Sequence, residues 1–235
     1  MKRFRYVLAM LVIPVFAAVA CAHSIGVNFC NGKASESLTA HESAGASAVA
    51  QSHWNNFKIK NTDPNGHWNK DSLKKIVDNT GAAVKKMSIK VNTGPAHKLQ
   101  FWVTGGATWG FMGPNLTLQT GMLWPRPQIT VSGIPYAHYD VYVYADAGSG
   151  GGTGSVTISA VHGTKGHVAA TKTYYYSYAW TNGHFVRAKS TKKSGAKGNY
   201  ILFKGNTAHA ITLNVNGTLG GAWTGVSGFQ IVATK

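Results

Sequence analysis

Aromatic side chains are the residues of this chain best suited to a specific binding chemistry. One run reads Tyr174-Tyr175-Tyr176-Ser177-Tyr178. If the run is a strand, Tyr174, Tyr176 and Tyr178 point to one side of its sheet. On an exposed face these rings could stack on successive sugar rings, with the amide of Asn182 bonding to sugar oxygens. The alternative is that one side of the run packs in the core while the other pairs with neighbouring strands.

Three of the seven tryptophans lie where the sequence predicts loops. Trp109, Trp124 and Trp180 have glycine, proline or asparagine neighbours, which favour turns over strand interiors. Burial in the core is the commoner outcome for a tryptophan. The local sequence nevertheless makes these three the best candidates for rings that contact a ligand.

A cationic segment follows the tyrosine run. Residues 187–198, here called the basic loop, contain Arg187 and four lysines among small residues, and Lys192, Lys193 and Lys197 are the candidate ligand contacts. Neighbouring cations repel one another unless solvent or a polyanion screens them, and a solvated loop is the ordinary outcome. Because the tyrosines lie close by in sequence, we expect stacking and charge to form one surface for an acidic polysaccharide. Single-stranded nucleic acid suits the same combination, but the export signal described below argues against it.

Carboxylate pairs and metal ligands give a weaker signal. The chain has only seven acidic residues, and a glycosidase needs two at a defined separation. Asp140 and Asp146 are the nearest approach to such a pair, although Asp140 is as well explained as a turn anchor. The ten histidines show none of the close spacings typical of zinc sites. We therefore predict no catalytic residue, no metal and no cofactor.

Two enzymatic alternatives stay open. One is hydrolysis of a glycan by the carboxylate pair. The other is oxidative cleavage of a polysaccharide, in which an N-terminal His23 binds copper through its amine and ring and a second histidine completes the site.

The first residues have the pattern of a secretory signal. Lys2, Arg3 and Arg5 precede an apolar stretch from Tyr6 to Val19, and small residues follow at positions 20–22. We predict a signal peptide over residues 1–22 and a single domain over residues 23–235. The mature chain contains no run of transmembrane length. The prediction is a secreted protein, extracellular or at the cell surface, with the periplasm as a second location.

Cys21 has three possible fates. Cleavage after Ala22 removes it and leaves Cys30 as the only thiol. Cleavage after Ala20 allows a Cys21–Cys30 disulfide in an oxidising compartment. In the third case Cys21 is the lipidated N-terminus of a lipoprotein.

The charge balance points to anionic partners. The formal net charge of the full chain is +16, and removal of the three signal cations leaves +13. Such a protein is attracted to acidic polysaccharide or to an anionic cell envelope. A surface in which lysine merely provides solubility is the alternative.

Alternating polar and apolar residues predict many short strands. Residues 148–154 form a glycine-rich segment between two of them, and we interpret it as a hairpin turn because no lysine or helix follows to bind phosphate. The fold class is all-β, an antiparallel β-sandwich or jelly roll with little helix. A strand ending at Val77 is preferred over a helix from Asp71. The other predicted strands are Ser24–Phe29, Met87–Val91, Leu99–Thr104, Ile129–Ser132, Tyr139–Ala145, Ser155–Val161, Val168–Tyr178, His184–Lys189, Tyr200–Lys204, Ala210–Val215 and Phe229–Ala233.

The order of several short motifs resembles a family of secreted β-sandwich domains from environmental Gram-negative bacteria. The motifs are Ile25–Phe29, Trp54–Asn56, Val77–Ala82, Val131–Pro135, Tyr139–Tyr144, Gly198–Phe203 and Gly228–Val232. The resemblance spans nearly the whole mature chain and implies a jelly roll similar to carbohydrate-binding domains, without an assigned reaction. This chain differs from the family in its strongly basic charge.

These observations favour an exported, non-catalytic protein of the envelope or matrix. The first hypothesis is polysaccharide binding through exposed aromatic residues and the basic loop. The second is a self-associating surface-layer or filament subunit, because edge strands suit packing between copies.

Overall fold

The computed structural model of the chain describes residues 22–59, 67–68, 70–93, 99–103, 110–148, 152–169, 171–217 and 223–235. Strands dominate, and the all-β prediction is confirmed. The strands are β1 Ser24–Cys30, β2 Asn55–Lys58, β3 His67–Trp68, β4 Lys70–Leu73, β5 Ser88–Thr93, β6 Leu99–Val103, β7 Gly121–Trp124, β8 Pro127–Ser132, β9 Tyr139–Ala147, β10 Thr153–Ala160, β11 Thr173–Ser177, β12 Tyr200–Asn206, β13 Ala210–Asn216 and β14 Thr224–Ala233. One α-helix, α1, spans Gly113–Thr120, and single 3₁₀ turns cover Ala34–Glu36 and Ser47–Val49.

The strands form two sheets that pack face to face. The six-stranded sheet has the order β11-β10-β13-β8-β5-β4, and all of its described pairs are antiparallel. In the eight-stranded sheet the path is β12-β9-β14-β7-β6-β3. There β14 also pairs with β1, and β1 pairs in parallel with β2. The result is a β-sandwich with one hydrophobic layer between the sheets.

Strict alternation of side chains builds that layer. On β8, Ile129 and Val131 are fully buried, while the residues between them are partly exposed. The predicted alternation of β9 is also confirmed, because Val141 and Val143 enter the core and Tyr142 and Tyr144 point outward. A period of two places every second residue on the same face, so each strand contributes one apolar row.

The glycine-rich segment is not a hairpin turn. Strand β9 before it pairs with β12 and β14, whereas β10 after it pairs with β11 and β13. The chain therefore crosses from the eight-stranded to the six-stranded sheet at this point. A hairpin and a crossover between sheets use the same turn residues, so the local sequence does not distinguish them.

Further predictions of local structure are wrong. Residues 184–189 are not a strand, because the Asn199 side chain binds the N–H of Val186 at 2.7 Å and the carbonyl of His184 at 3.0 Å in place of a neighbouring strand. Helix α1 and strand β7 lie where no element was predicted. Pro114 stands in the first turn of α1, where its missing N–H costs no hydrogen bond.

Of the predicted signal peptide, only Ala22 is among the described residues, and Cys21 lies outside them. Cys30 is buried in β1, and burial is the main cause that raises the pKa of its thiol. In the described part of the chain, none of the helices has the length and hydrophobicity needed to cross a membrane.

Candidate functional site

The basic loop is attached to strand β11 at two points. The N–H of Tyr175 donates to the Ser190 carbonyl at 2.9 Å, and the N–H of Gly198 donates to the Ser177 carbonyl at 3.4 Å. Between these points the Ser190 hydroxyl accepts from the N–H of Lys192 at 3.1 Å, which tightens the turn. The loop and the tyrosine run are therefore neighbours, as the sequence predicts.

The lysines of the basic loop project into solvent. Lys192, Lys193 and Lys197 are all exposed, and none forms an ion pair with a carboxylate in the described part of the chain. Their mutual repulsion is offset only by solvent and counterions. These ammonium groups are therefore accessible to an external polyanion.

Tyr175 is the tyrosine that faces this surface. With Lys172, Thr173 and Thr191 it lines a groove of about 470 Å³ between β11 and the basic loop. The groove thus combines one aromatic ring, two hydroxyls and an ammonium group. A flat ring beside hydroxyl donors is a common arrangement for binding a sugar.

The predicted exposure of Tyr174, Tyr176 and Tyr178 is wrong. Tyr176 is fully buried, its hydroxyl donates to the Gly225 carbonyl at 2.9 Å, and burial raises its pKa. Tyr174 and Tyr178 are half-buried and pack against the core, with the Tyr174 ring 5.4 Å from that of Phe203. The predicted alternation along the run is confirmed, but the side that carries Tyr174, Tyr176 and Tyr178 faces the core and Tyr175 faces outward.

The groove continues into the outer surface of the six-stranded sheet, here called the open face. The residues on its outward positions are mostly short, polar and uncharged, and one row of paired positions runs across five strands. That row is Asn92, Gln128, Asn214, Thr157 and Thr173.

Side chains within this row bind one another. Gln128 donates to Asn214 at 3.0 Å, and the hydroxyls of Thr157 and Thr173 lie 2.9 Å apart. In the next row Ser155 pairs with Asn216 on one side and with Tyr175 on the other. Tyr175 therefore lies at one end of an outer surface formed by side-chain hydroxyl and amide groups.

The open face has no outward carboxylate among the described residues. Glu36, Glu42 and Asp140 belong to the other side of the sandwich, and Asp146 is fully buried. Asp78 lies in a turn beside His23, at the start of β1 in the eight-stranded sheet. Asp71 on edge strand β4 pairs with Val91, which points inward. The exposed cations Lys90, on β5 beside edge strand β4, and Lys172, just before edge strand β11, lie toward opposite ends of the open face. The electrostatic field over this surface therefore favours anions.

Two of the three predicted tryptophans lie among the described residues. Trp180 is 62% exposed, as predicted, and Asn182 is exposed in a turn with φ 52°. Both are on the side of the eight-stranded sheet. Trp124 is only 8% exposed, contrary to expectation, because its ring packs at 4.7 Å against that of Trp223. Trp109 lies outside the described residues.

The candidate carboxylate pair is too widely separated for glycoside hydrolysis. Asp140 and Asp146 lie six positions apart on β9, about 20 Å along a strand, whereas a glycosidase pair spans about 5 to 10 Å. Asp140 instead accepts from the N–H of Gly205 at 2.8 Å. His23 lies 3.6 Å from Asp78. Among the described residues no group of three or more histidine, cysteine or acidic side chains is placed to hold a metal ion.

Comparisons of the chain with protein-family models, with curated proteins and with solved structures find no match. The resemblance to secreted bacterial β-sandwich domains therefore stays a prediction, and the site is interpreted from its own geometry.

Proposed function

We propose that this chain is an exported, non-catalytic protein that binds acidic polysaccharide with its open face and basic loop. The observation that supports this most strongly is the groove at Tyr175, which lies between Lys172 and a loop of unpaired lysines. The surrounding face carries no described carboxylate on an outward position. The proposed place of action is the cell envelope or the extracellular matrix.

Each part of the surface has a distinct task in this proposal. The Tyr175 ring stacks on the C–H face of one sugar. Lys172, Lys192 and Lys193 attract carboxylate or sulfate groups, and their flexible stems allow them to follow a polymer of irregular charge spacing. The amide and hydroxyl rows bind sugar hydroxyls. Because no step requires bond cleavage, a binding protein explains the surface without a reactive centre.

Edge-to-edge polymerisation is less well supported on this side of the sandwich. The outer edge of β11 already bonds to the basic loop, and the carbonyl of Tyr200 at the start of β12 accepts from the N–H of Ala188 at 2.8 Å. An edge whose backbone groups are used within the chain is a poor template for a second copy.

The test is retardation of the purified protein in gels that contain polygalacturonate. Replacing Lys192, Lys193 and Lys197 by glutamine should weaken binding about tenfold, since exposed charge pairs contribute roughly 0.2–1 kcal/mol each. The control replaces Lys74, Lys75 and Lys85 by glutamine. These lysines are exposed near the opposite edge of the sheet, and their replacement removes the same amount of charge. That variant should lose less than about twofold. Equal loss in both variants would mean that total charge, and not this surface, controls binding.

A second pair of variants separates ring stacking from hydrogen bonding. Tyr175→Ala should weaken binding about fivefold, whereas Tyr175→Phe, which keeps the ring, should remain within about twofold of the original protein. Binding should also weaken between about 0.05 M and 0.5 M salt, because added salt shortens the Debye length and screens the attraction between the lysines and the polyanion. Unchanged retention of Tyr175→Ala would contradict the proposed site.

A further inference from the structure

A second concave site lies on the opposite side of the molecule. The outer surface of the eight-stranded sheet, here called the covered face, is overlaid by residues 31–52, by α1 and by Phe185. Between these segments is a cavity of about 360 Å³, near the lower end of the roughly 300–1,000 Å³ typical of ligand pockets. It is separate from the groove at Tyr175 and shares no lining residue with it.

The walls of this cavity are fixed by hydrogen bonds. Asn115 in the first turn of α1 accepts from the N–H of Gly45 at 2.9 Å, and the next N–H, of Ala46, donates to the Tyr144 hydroxyl at 3.0 Å. Gly45 has φ +109°, and a Cβ there would lie 2.7 Å from that hydroxyl. Gln230 binds both Tyr144 and the carbonyl of Val49. The cavity is therefore preformed, which lowers the entropic cost of binding.

The polar side chains on the wall carry hydroxyl, amide and imidazole groups. The hydroxyls of Ser43 and Ser47, the side-chain N–H₂ of Asn115 and the ring of His184 have no hydrogen-bond partner in the described part of the chain. No carboxylate, lysine or arginine is among the described residues that line the cavity. Such a wall offers both donors and acceptors but no carboxylate, ammonium or guanidinium group to balance an ion.

One wall is an aromatic surface. Phe185 packs 4.6 Å from Phe111 and 4.9 Å from Tyr144, so its ring is held in place at the cavity. The exposed Trp180 lies nearby, with Cζ2 3.2 Å from the position that a Cβ on Gly110 would take. The same position is 3.0 Å from the N–H of Gly183, which lines the cavity. A cavity that combines an aromatic wall with hydrogen-bonding groups matches the apolar faces and the hydroxyl rim of a sugar ring.

We propose that this cavity binds one uncharged sugar residue. The ring of the sugar lies against Phe185, and its hydroxyls bond to Ser43, Ser47, Asn115 and His184. The inference goes beyond the proposed binding of acidic polymer, because it assigns a different ligand to a different face. A protein with both sites would join a neutral glycan to an acidic one.

The test uses saturation-transfer NMR and calorimetry with methyl β-D-glucopyranoside, methyl β-D-galactopyranoside and glucuronate. Binding of at least one neutral glycoside, tighter than that of glucuronate, is the expected result. Ala50→Phe should abolish it, because residue 50 is exposed and lines the cavity, so that a larger side chain fills the space. The matched control is Ala48→Phe, at an exposed position that does not line the cavity, and it should bind normally.

A second variant tests the hydrogen bonds without filling the space. Asn115→Asp keeps an acceptor for the N–H of Gly45 but removes the donor, and should weaken glycoside binding about fivefold. Absence of neutral glycoside binding, preference for glucuronate, or binding that survives both variants would overturn the proposal. Retention on polygalacturonate should be unaffected by Ala50→Phe, so failure of one site is distinguishable from failure of the other.

Discussion

The open face and the covered face are built from equally regular strands but differ in what lies above them. On the covered face, Tyr144 and Gln230 point outward and are nevertheless fully buried beneath Trp54 and its neighbours. On the open face, Thr157 and Thr212 occupy comparable outward positions and stay partly exposed. Large outward rings gain free energy when a segment covers them, whereas small hydroxyls have little apolar area to bury. The side chains on each outer face thus determine whether it becomes a second core or an accessible surface.

The largest expected difference between the faces is in stability. Trp54→Ala on the covered face should lower the free energy of unfolding by about 3–5 kcal/mol, because a buried ring is lost and a cavity remains. Thr212→Ala on the open face should change it by less than about 0.5 kcal/mol. Denaturation in guanidinium chloride measures both values. Similar losses would show that the two faces do not differ as described.

A smaller effect is expected from one oxygen atom of the covered face. Tyr144→Phe removes the hydroxyl that binds Gln230 and the N–H of Ala46, and leaves both groups buried without it. The expected cost is about 1–3 kcal/mol. Tyr142→Phe, at a half-buried tyrosine on the same strand, serves as the control and should cost less than about 0.5 kcal/mol. An unchanged free energy of unfolding in Tyr144→Phe would mean that this network does not hold residues 31–52 on the covered face.

Alkaline pH should reveal which tyrosines are enclosed. Burial raises the pKa of Tyr139, Tyr144 and Tyr176 above the ordinary tyrosine value. The unfolded chain loses these protons first, so the contribution of these three tyrosines to stability is constant below about pH 10 and falls above it, by at most roughly 1.4 kcal/mol per pH unit for each group. Denaturation at pH 8 and at pH 11 measures the loss of stability, and tyrosinate absorbance at the same two pH values measures how many tyrosines have ionised. Full ionisation of all tyrosines before unfolding would contradict the burial.

The smallest effect is expected within the polar row of the open face. Gln128→Ala removes the exposed bond to Asn214 and should cost roughly 0.2–1 kcal/mol. A loss above about 2 kcal/mol in the same denaturation experiment would indicate that this row is a buried structural network, not an accessible surface.

Alternation in the sequence was sufficient to predict much of the sandwich. Strands such as β8 and β13 have one apolar and one polar side, so both their existence and their inward face could be predicted. The tyrosine run has aromatic residues on both sides, so the side that faces the core could not be predicted from the sequence. The register decides it, because β10 places Gly154 opposite Tyr176. A Cβ on Gly154 would lie 2.3 Å from the Tyr176 ring, so the ring can lie inward only over a glycine.

The site could be predicted in part. The lysines of the basic loop could be predicted because clustered charge in a loop of small polar residues stays exposed whatever the fold. Tyr175 was missed as the outward ring, and the cavity beside Asn115 was missed altogether. Its walls come from three segments far apart in sequence, and residues 31–52 have no periodicity from which their burial could be inferred. Contacts of this kind depend on the tertiary fold and not on local pattern.

The most direct test of the account is the position of an acidic oligosaccharide on the protein. Titration of the ¹⁵N-labelled protein with oligogalacturonate should shift the amide resonances of Thr173, Tyr175, Ser155 and the basic loop, and leave those of Gly45 and Ala46 unchanged. Shifts confined to the covered face, or no shift at any residue, would contradict the assignment of the open face as the polysaccharide-binding surface.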